Sequence, residues 1–367
     1  MTIKAILSDF GRFFAAMAIL PVLLNPLTAA EWPYWLGPNG NNVVAAEEDF
    51  DPDLKNWKIS WKKEVGLGYS TITTANGKAY TMGHDGGSKE TIYCFDSATG
   101  EKIWDFSYEG ALLPRMHVGG PNASVTVVGD KAFAISKDGQ VFCLNAENGS
   151  EIWTVKLTKL LRMEVPQWGF GSSPVEYMGD LLISAGRTVA LDKETGKPNW
   201  ISSEDRKAGY GTPVVFTRSG KDYIATMDAE GLSILDAADG AEIARYGQRV
   251  KYDMNASTPA VFANGEQILF YTNSNSAMLA FDGETLTSIW EDRKLQNALS
   301  GSILMGKALY GLNGSYKNKK TSLYSRNLGD GKENWVVPSY GYATLIAVGD
   351  TLVILTEDGE LVTASAN

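Results

Sequence analysis

An Asp or Asn followed eight residues later by Trp recurs along this chain. It reads DSATGEKIW at Asp96–Trp104, NAENGSEIW at Asn145–Trp153, DKETGKPNW at Asp192–Trp200, DGETLTSIW at Asp282–Trp290 and NLGDGKENW at Asn327–Trp335. With Trp61 placed first, and Ala244 of GAEIARYG between Trp200 and Trp290, the spacings are 43, 49, 47, 44, 46 and 45 residues. A period of about 40–50 residues is the mark of a propeller or solenoid. Between the marks the chain alternates apolar and polar residues in short runs rich in β-branched and aromatic side chains, as in TITTANGKAYTMG and SVTVVGDKAFAIS. That alternation predicts antiparallel strands. Gly100, Gly149, Gly196, Gly240 and Gly331 supply the positive φ of tight hairpin turns, and the leading Asp or Asn bonds the turn amides. Leu157–Val165 (LTKLLRMEV) alone has helical spacing.

The fold class that follows is all-β, a β-propeller of four-stranded antiparallel blades. Each unit is unable to bury both faces alone and covers its neighbour. The repeated Trp61, Trp104, Trp153, Trp200, Trp290 and Trp335 are structural. Each would bury roughly 200 Å² between neighbouring sheets and place its indole N–H on a backbone carbonyl. The last unit, YATLIAVGDTLVILTEDGELVTAS, offers three strands, and Ile59–Val65 is expected to supply its fourth and close the ring. Seven blades result, the alternative being eight with the last one missing.

Residues 1–30 read as a signal peptide: a basic start with Lys4 and Arg12, the apolar run Phe13–Leu24, and small residues ending at Ala30. Residues 31–58 form an N-terminal extension and 59–367 the propeller. The chain carries a net charge of −10. An acidic chain without a basic block argues against nucleic-acid binding and against docking on anionic lipid. The expected product is exported to the periplasm, cell envelope or medium, without stable membrane insertion after signal removal, and monomeric. Cys94 and Cys143 occupy equivalent, mostly small positions of adjacent repeats, so they read as buried thiols, with a disulfide as the alternative in an exported protein. No metal-ligand spacing occurs.

The D-x-x-x-G-x-x-x-W repeat, with EWPYWLGPNG, YTMGHDGGSKETIYCFD, VPQWGFGSSPV and YDMNASTP, resembles the pyrroloquinoline-quinone-like (PQQ-like) β-propeller repeat family in its exported members. The resemblance covers Glu31 to Asn367. It implies two different functions. Quinoprotein dehydrogenases of the family hold the quinone and a calcium ion, whereas the propeller subunit of the outer-membrane barrel-assembly machinery binds proteins and holds no cofactor. The dehydrogenases typically carry a disulfide between adjacent cysteines over the quinone. Cys94 and Cys143 are far apart in sequence, which weighs against that activity and makes a bound cofactor unexpected.

Conventional catalytic clusters are missing from the sequence. His84 and His117 lie in Gly-rich loops of different repeats, and carboxylate pairs such as Asp253 and Glu164 have nothing to single them out. The loops leading into each innermost strand gather around the axis of a propeller. They supply Tyr69, Arg115, Asn122, Trp168, Phe170, Tyr210, Asp253, Asn255, Asn297 and Tyr342. Aromatic walls with a few amides suit a peptide, a glycan or a flat ring, and Arg115 could hold a carboxylate by two hydrogen bonds. The expected function is therefore a non-catalytic binding or scaffold module for a protein, peptide or glycan outside the cytoplasm. The alternative is a calcium-dependent PQQ dehydrogenase, to whose calcium Asp253 and Asn255 would offer oxygens.

Overall fold

Why the repeat carries both a glycine and a tryptophan is visible in how successive sheets meet. In the computed structural model, Gly149 has φ 73°, and a Cβ added there would lie 2.7 Å from the Trp104 ring of the preceding sheet. Gly100 meets Trp61, Gly196 meets Trp153, Gly240 meets Trp200 and Gly331 meets Trp290 in the same way. Left-handed φ explains the glycine once; the ring lying on its Cα explains it a second time. The indoles also donate across the junction, Trp61 to Ser97 O, Trp104 to Ala146 O, Trp153 to Lys193 O and Trp290 to Leu328 O, at 2.9–3.0 Å. Where the outer position is Ala244, no ring needs room. The next turn then has Leu286 in place of glycine, packed into the apolar cluster that contains Ala244.

The structure describes residues 31–47, 49–115, 117–297, 301–314, 321–338 and 340–366. The proposed signal peptide lies outside them. They form seven four-stranded sheets of a β-propeller. Sheet 1 comprises Thr73–Ala75, Lys78–His84, Lys89–Asp96 and Lys102–Glu109; sheet 2 comprises Thr126–Val128, Lys131–Ile135, Gln140–Asn145 and Glu151–Lys156. Sheets 3 to 6 repeat the plan and end on the outer strands Pro198–Ile201, Glu242–Gly247, Leu286–Asp292 and Glu333–Pro338. Third and outer strands keep one register throughout, pairing Cys94 with Trp104, Cys143 with Trp153 and Ser325 with Trp335, each followed by a bulge. The core lies between sheets; one cluster runs from Phe133 and Cys143 to Leu181 and Leu191. Cys94 and Cys143 are free, fully buried thiols. The expected helix is limited to Leu157–Leu160.

Ring closure uses the N-terminal region differently from expectation. Ala343–Val348, Thr351–Thr356 and Leu361–Ser365 are joined by Val43–Val44, which pairs in parallel with Ala347 and Val348 at the inner edge. Ile59–Val65 has no assigned strand, and Ile59 is exposed, although Trp61 keeps its contact with the turn of sheet 1. Upstream of Val43 the chain is woven into the ring. Trp32 pairs with Thr74, Pro33 O accepts from Val127 N, and Trp35 Nε1 donates to Thr258 Oγ1, in the loop entering sheet 5, at 3.0 Å. Residues 31–44 thus tie sheets 1 and 2 to the loop entering sheet 5 and to sheet 7.

Candidate functional site

The axial loops are positioned by a chain of hydroxyls that runs from sheet to sheet. Thr71 N donates to Ser124 Oγ at 3.1 Å, Ser124 N to Ser173 Oγ at 3.0 Å, Ser173 N to Thr212 Oγ1 at 3.0 Å and Thr212 N to Thr258 Oγ1 at 3.3 Å. Each buried amide in a loop finds its acceptor on the next sheet, so the loops are held as one unit. Loop backbones add further ties, Tyr69 N to Pro121 O and Tyr210 N to Asn255 O, both 2.8 Å. This set was missed by the sequence reasoning; its signal is the Ser or Thr that ends each loop, from GLGYST to YDMNASTP.

On this frame an aromatic arc spans four sheets. Tyr69, 53% exposed, stands edge-on to His117 with ring centroids 5.4 Å apart, and His117 lies 5.8 Å from Trp168. The Trp168 backbone amide reaches the Tyr210 hydroxyl. Burial pushes the Tyr210 phenol up to about 12, with the Trp168 amide opposing and the Asp253 charge reinforcing the shift. Burial, and then the charge of Lys137, hold His117 below the ordinary histidine value, so it is a neutral member of the arc at pH 7. The Trp168 indole N–H is buried and has no hydrogen-bond partner.

Beneath the arc sits an ammonium group that the sequence did not reveal. Lys137 is fully buried, and its Nζ donates to Asn122 Oδ1 at 2.9 Å, while Asn122 Nδ2 donates to Trp168 O at 3.1 Å. Burial brings Lys137 down to about 8, and the charge of buried Glu90 opposes the shift. Glu90 Oε2 accepts from Tyr108 OH at 2.9 Å and from Lys137 N at 3.2 Å; Oε1 has no partner. Burial raises the Glu90 carboxyl despite those bonds.

The remaining candidates divide. Arg115 is exposed and, among the described residues, has no ion-pair partner; its backbone amide bonds His117 O at 3.2 Å. Phe170 is 2% exposed and belongs to the core, resting where Gly139 has no side chain. Asn297 and Tyr342 stand in the loops leading into sheets 6 and 7, Asn297 N on Thr272 O and Tyr342 N on Glu357 Oε1. The structure therefore brings Tyr69, Asn122, Trp168 and Tyr210 together and places Phe170 in the core.

Asp253 and Asn255 do not form the ligand set a quinone-bound calcium needs. Asp253 Oδ2 is paired with Lys207 Nζ at 2.9 Å. Asn255 Nδ2 is committed to Asp228 O and Gln248 O, leaving one amide oxygen without a partner. Among the described residues no group of three or more His, Cys, Asp or Glu side chains is placed to hold a metal ion. The cysteines stand on different sheets, so no disulfide of neighbouring residues covers a quinone. The residues present do not fit PQQ with calcium.

Comparison with known proteins gives a family and a fold. The family model described as outer membrane protein assembly factor BamB matches residues 88–337. Outer membrane protein assembly factor BamB of Burkholderia pseudomallei is 25% identical over 365 residues, covering 85% of this chain and 88% of that protein. Polyvinylalcohol dehydrogenase of a Pseudomonas species is 31% identical over 137 residues, which is 34% of this chain and 20% of the enzyme. Europium-containing methanol dehydrogenase superposes with a TM-score of 0.68 at 10% identity, over 92% of this chain and 85% of that one. At that identity the likeness establishes the propeller fold alone. Among the described residues no helix is long and apolar enough to cross a membrane.

Proposed function

This chain belongs to the PQQ-repeat β-propeller family of outer membrane protein assembly factor BamB, and from that premise we propose that it is an exported, non-catalytic scaffold. It binds another protein of the cell envelope through its axial-loop face. Residues 1–30 direct export, the mature chain acts as a monomer, and residues 31–58 and 59–367 work together as one propeller.

The observation that carries this reading is the arc Tyr69–His117–Trp168–Tyr210. It is an aromatic surface on tied loops, and exposed Arg115, whose backbone amide bonds His117 O, would take a carboxylate beside it. Aromatic and arginine side chains in that setting are the usual anchors of protein interfaces. Such anchors on a pre-ordered frame avoid the entropy cost of ordering loops on binding.

The test is a photocrosslinking amino acid at position 69 in the full-length protein, expressed in its own cell envelope, with the same group at Lys332 as control. A discrete protein adduct from position 69 alone, lost on Trp168→Ala or Arg115→Ala in a protein that still folds, supports the proposal. Identical adducts from both positions would sink it. Calorimetric titration with pyrroloquinoline quinone, with and without calcium, tests the competing enzyme. Saturable, calcium-dependent binding at about micromolar affinity would replace the scaffold by a dehydrogenase.

A further inference from the structure

Apolar clusters fill the junctions between neighbouring sheets, from sheets 1 and 2 round to sheets 6 and 7. Among the described residues no such cluster joins sheet 7 to sheet 1. What lies on sheet 1 at that junction is residues 58–66, KISWKKEVG. They follow the course of an outer strand on its next sheet. Trp61 rests on Gly100 and donates to Ser97 O, and Val65 O lies where Gly83 has no side chain. Yet no strand pairs with them. Among the described residues, 58–66 neither give nor accept a backbone hydrogen bond. A stretch held against a sheet with its peptide groups unpaired is an open strand edge.

The side chains of this edge are as unmet as its backbone. Ile59 is 88% exposed, the most of any large apolar residue among those described, and Trp57 two residues earlier is exposed as well. Lys58, Lys62 and Lys63 are all exposed, and the acid among them is Glu64, 3.9 Å from Lys62. Three lysines against one glutamate set the stretch apart in a chain of net charge −10.

The chemistry of the occupant follows from these features. A second copy of the same stretch would set one lysine surplus against another, and lysine at a strand edge guards against such self-pairing. A small molecule would leave the row of peptide groups unused. An extended segment in which acidic and apolar residues alternate meets all of them. Its backbone pairs with the edge, its acids oppose the lysines, and its apolar side chains cover Ile59. We propose that residues 58–66 dock an acidic, alternately apolar strand of a partner protein by strand addition, independently of the axial-loop face. Because Trp61 and Val65 already hold the edge on sheet 1, little of the chain has to be ordered on binding.

The experiment titrates the full chain with a fluorescent octapeptide of alternating valine and glutamate, read by anisotropy and by amide hydrogen exchange. A valine–lysine octapeptide and phosphatidylglycerol vesicles serve as the alternatives. The acidic peptide is expected to bind and to slow exchange across residues 58–66. Lys58→Glu/Lys62→Glu, altered at exposed positions, is expected to bind it about tenfold or more weakly, and Ile59→Ser to weaken it as well. No slowing at about 1 mM acidic peptide, or equal binding of the lysine peptide or by the charge variant, would overturn the proposal. So would slowing caused by the vesicles and not by the peptide, or slowing in the free chain that grows with its own concentration. The crosslink from position 69 is read separately, so either conclusion can fail alone.

Discussion

Replacing Gly149 by Ala separates the two reasons for the repeat glycine. Gly149 (φ 73°) and Gly129 (φ 59°) both lie in the left-handed region and both serve sheet 2. An added Cβ meets nothing within 4 Å at Gly129, but meets Trp104 ring atoms at 2.7 and 2.8 Å at Gly149. Gly129→Ala should therefore cost only the backbone term, about 1 kcal/mol. Gly149→Ala carries the same term plus overpacking of about 1–3 kcal/mol, because Trp104 is 6% exposed and pinned by Ala146 O. Urea denaturation at fixed temperature and pH should place Gly149→Ala about 2 kcal/mol below Gly129→Ala. In a double-mutant cycle with Trp104→Leu, the alanine should cost about 1–2 kcal/mol less once the ring is gone. If the two glycine variants agree within about 0.5 kcal/mol, or the cycle is additive, the ring contact does not explain the repeat.

Three further outcomes are expected. Below pH 8 folded and unfolded chains both hold the Lys137 proton and its burial is a constant penalty; between about 8 and 10.5 only the unfolded chain holds it. Stability relative to Lys137→Met should therefore rise with pH across that window, and a flat or falling difference in urea melts refutes the assignment. Burial pushes Cys94 up to about 11 and Cys143 up to about 12. Native protein should resist a thiol reagent at pH 8 while both thiols label in denaturant; rapid labelling of native protein or an intact-mass disulfide contradicts this. Arg245 holds Asp228 through two bonds of 2.7 and 2.9 Å inside a network with Arg206 and Glu242. Arg245→Met should cost about 3–5 kcal/mol in the same melts, and a loss below about 1 kcal/mol would show that the pair is not effectively buried.

What the sequence disclosed was the periodic part. The spacing of Trp61, Trp104, Trp153 and their successors reported the sheets because every sheet solves the same packing problem with the same residues. The axial position of Tyr69, Asn122, Trp168 and Tyr210 was legible because each loop precedes an inner strand. Lys137 was not, since SKDGQ reads as a solvated hairpin tip, and only the loop of the next sheet, with Gly169 over the lysine stem, buries it. Phe170 became core for a similar non-local reason, the bare Cα of Gly139. The seam was misplaced because two parallel residues, Val43 and Val44, leave no alternating pattern to detect, while Ile59–Val65 does.

That seam has a kinetic meaning. Val43 meets Ala347 across a loop of about 300 residues, whose closure costs roughly 5 kcal/mol of chain entropy. Local hairpins recover nothing toward that cost until the intervening sheets stand in sequence, so the pairing belongs on the native side of the folding barrier. Interactions formed that late leave the rate of folding almost unchanged and slow the rate of unfolding. The short strand at the start of the ring is then a determinant of how long the propeller lasts, and little of how fast it forms.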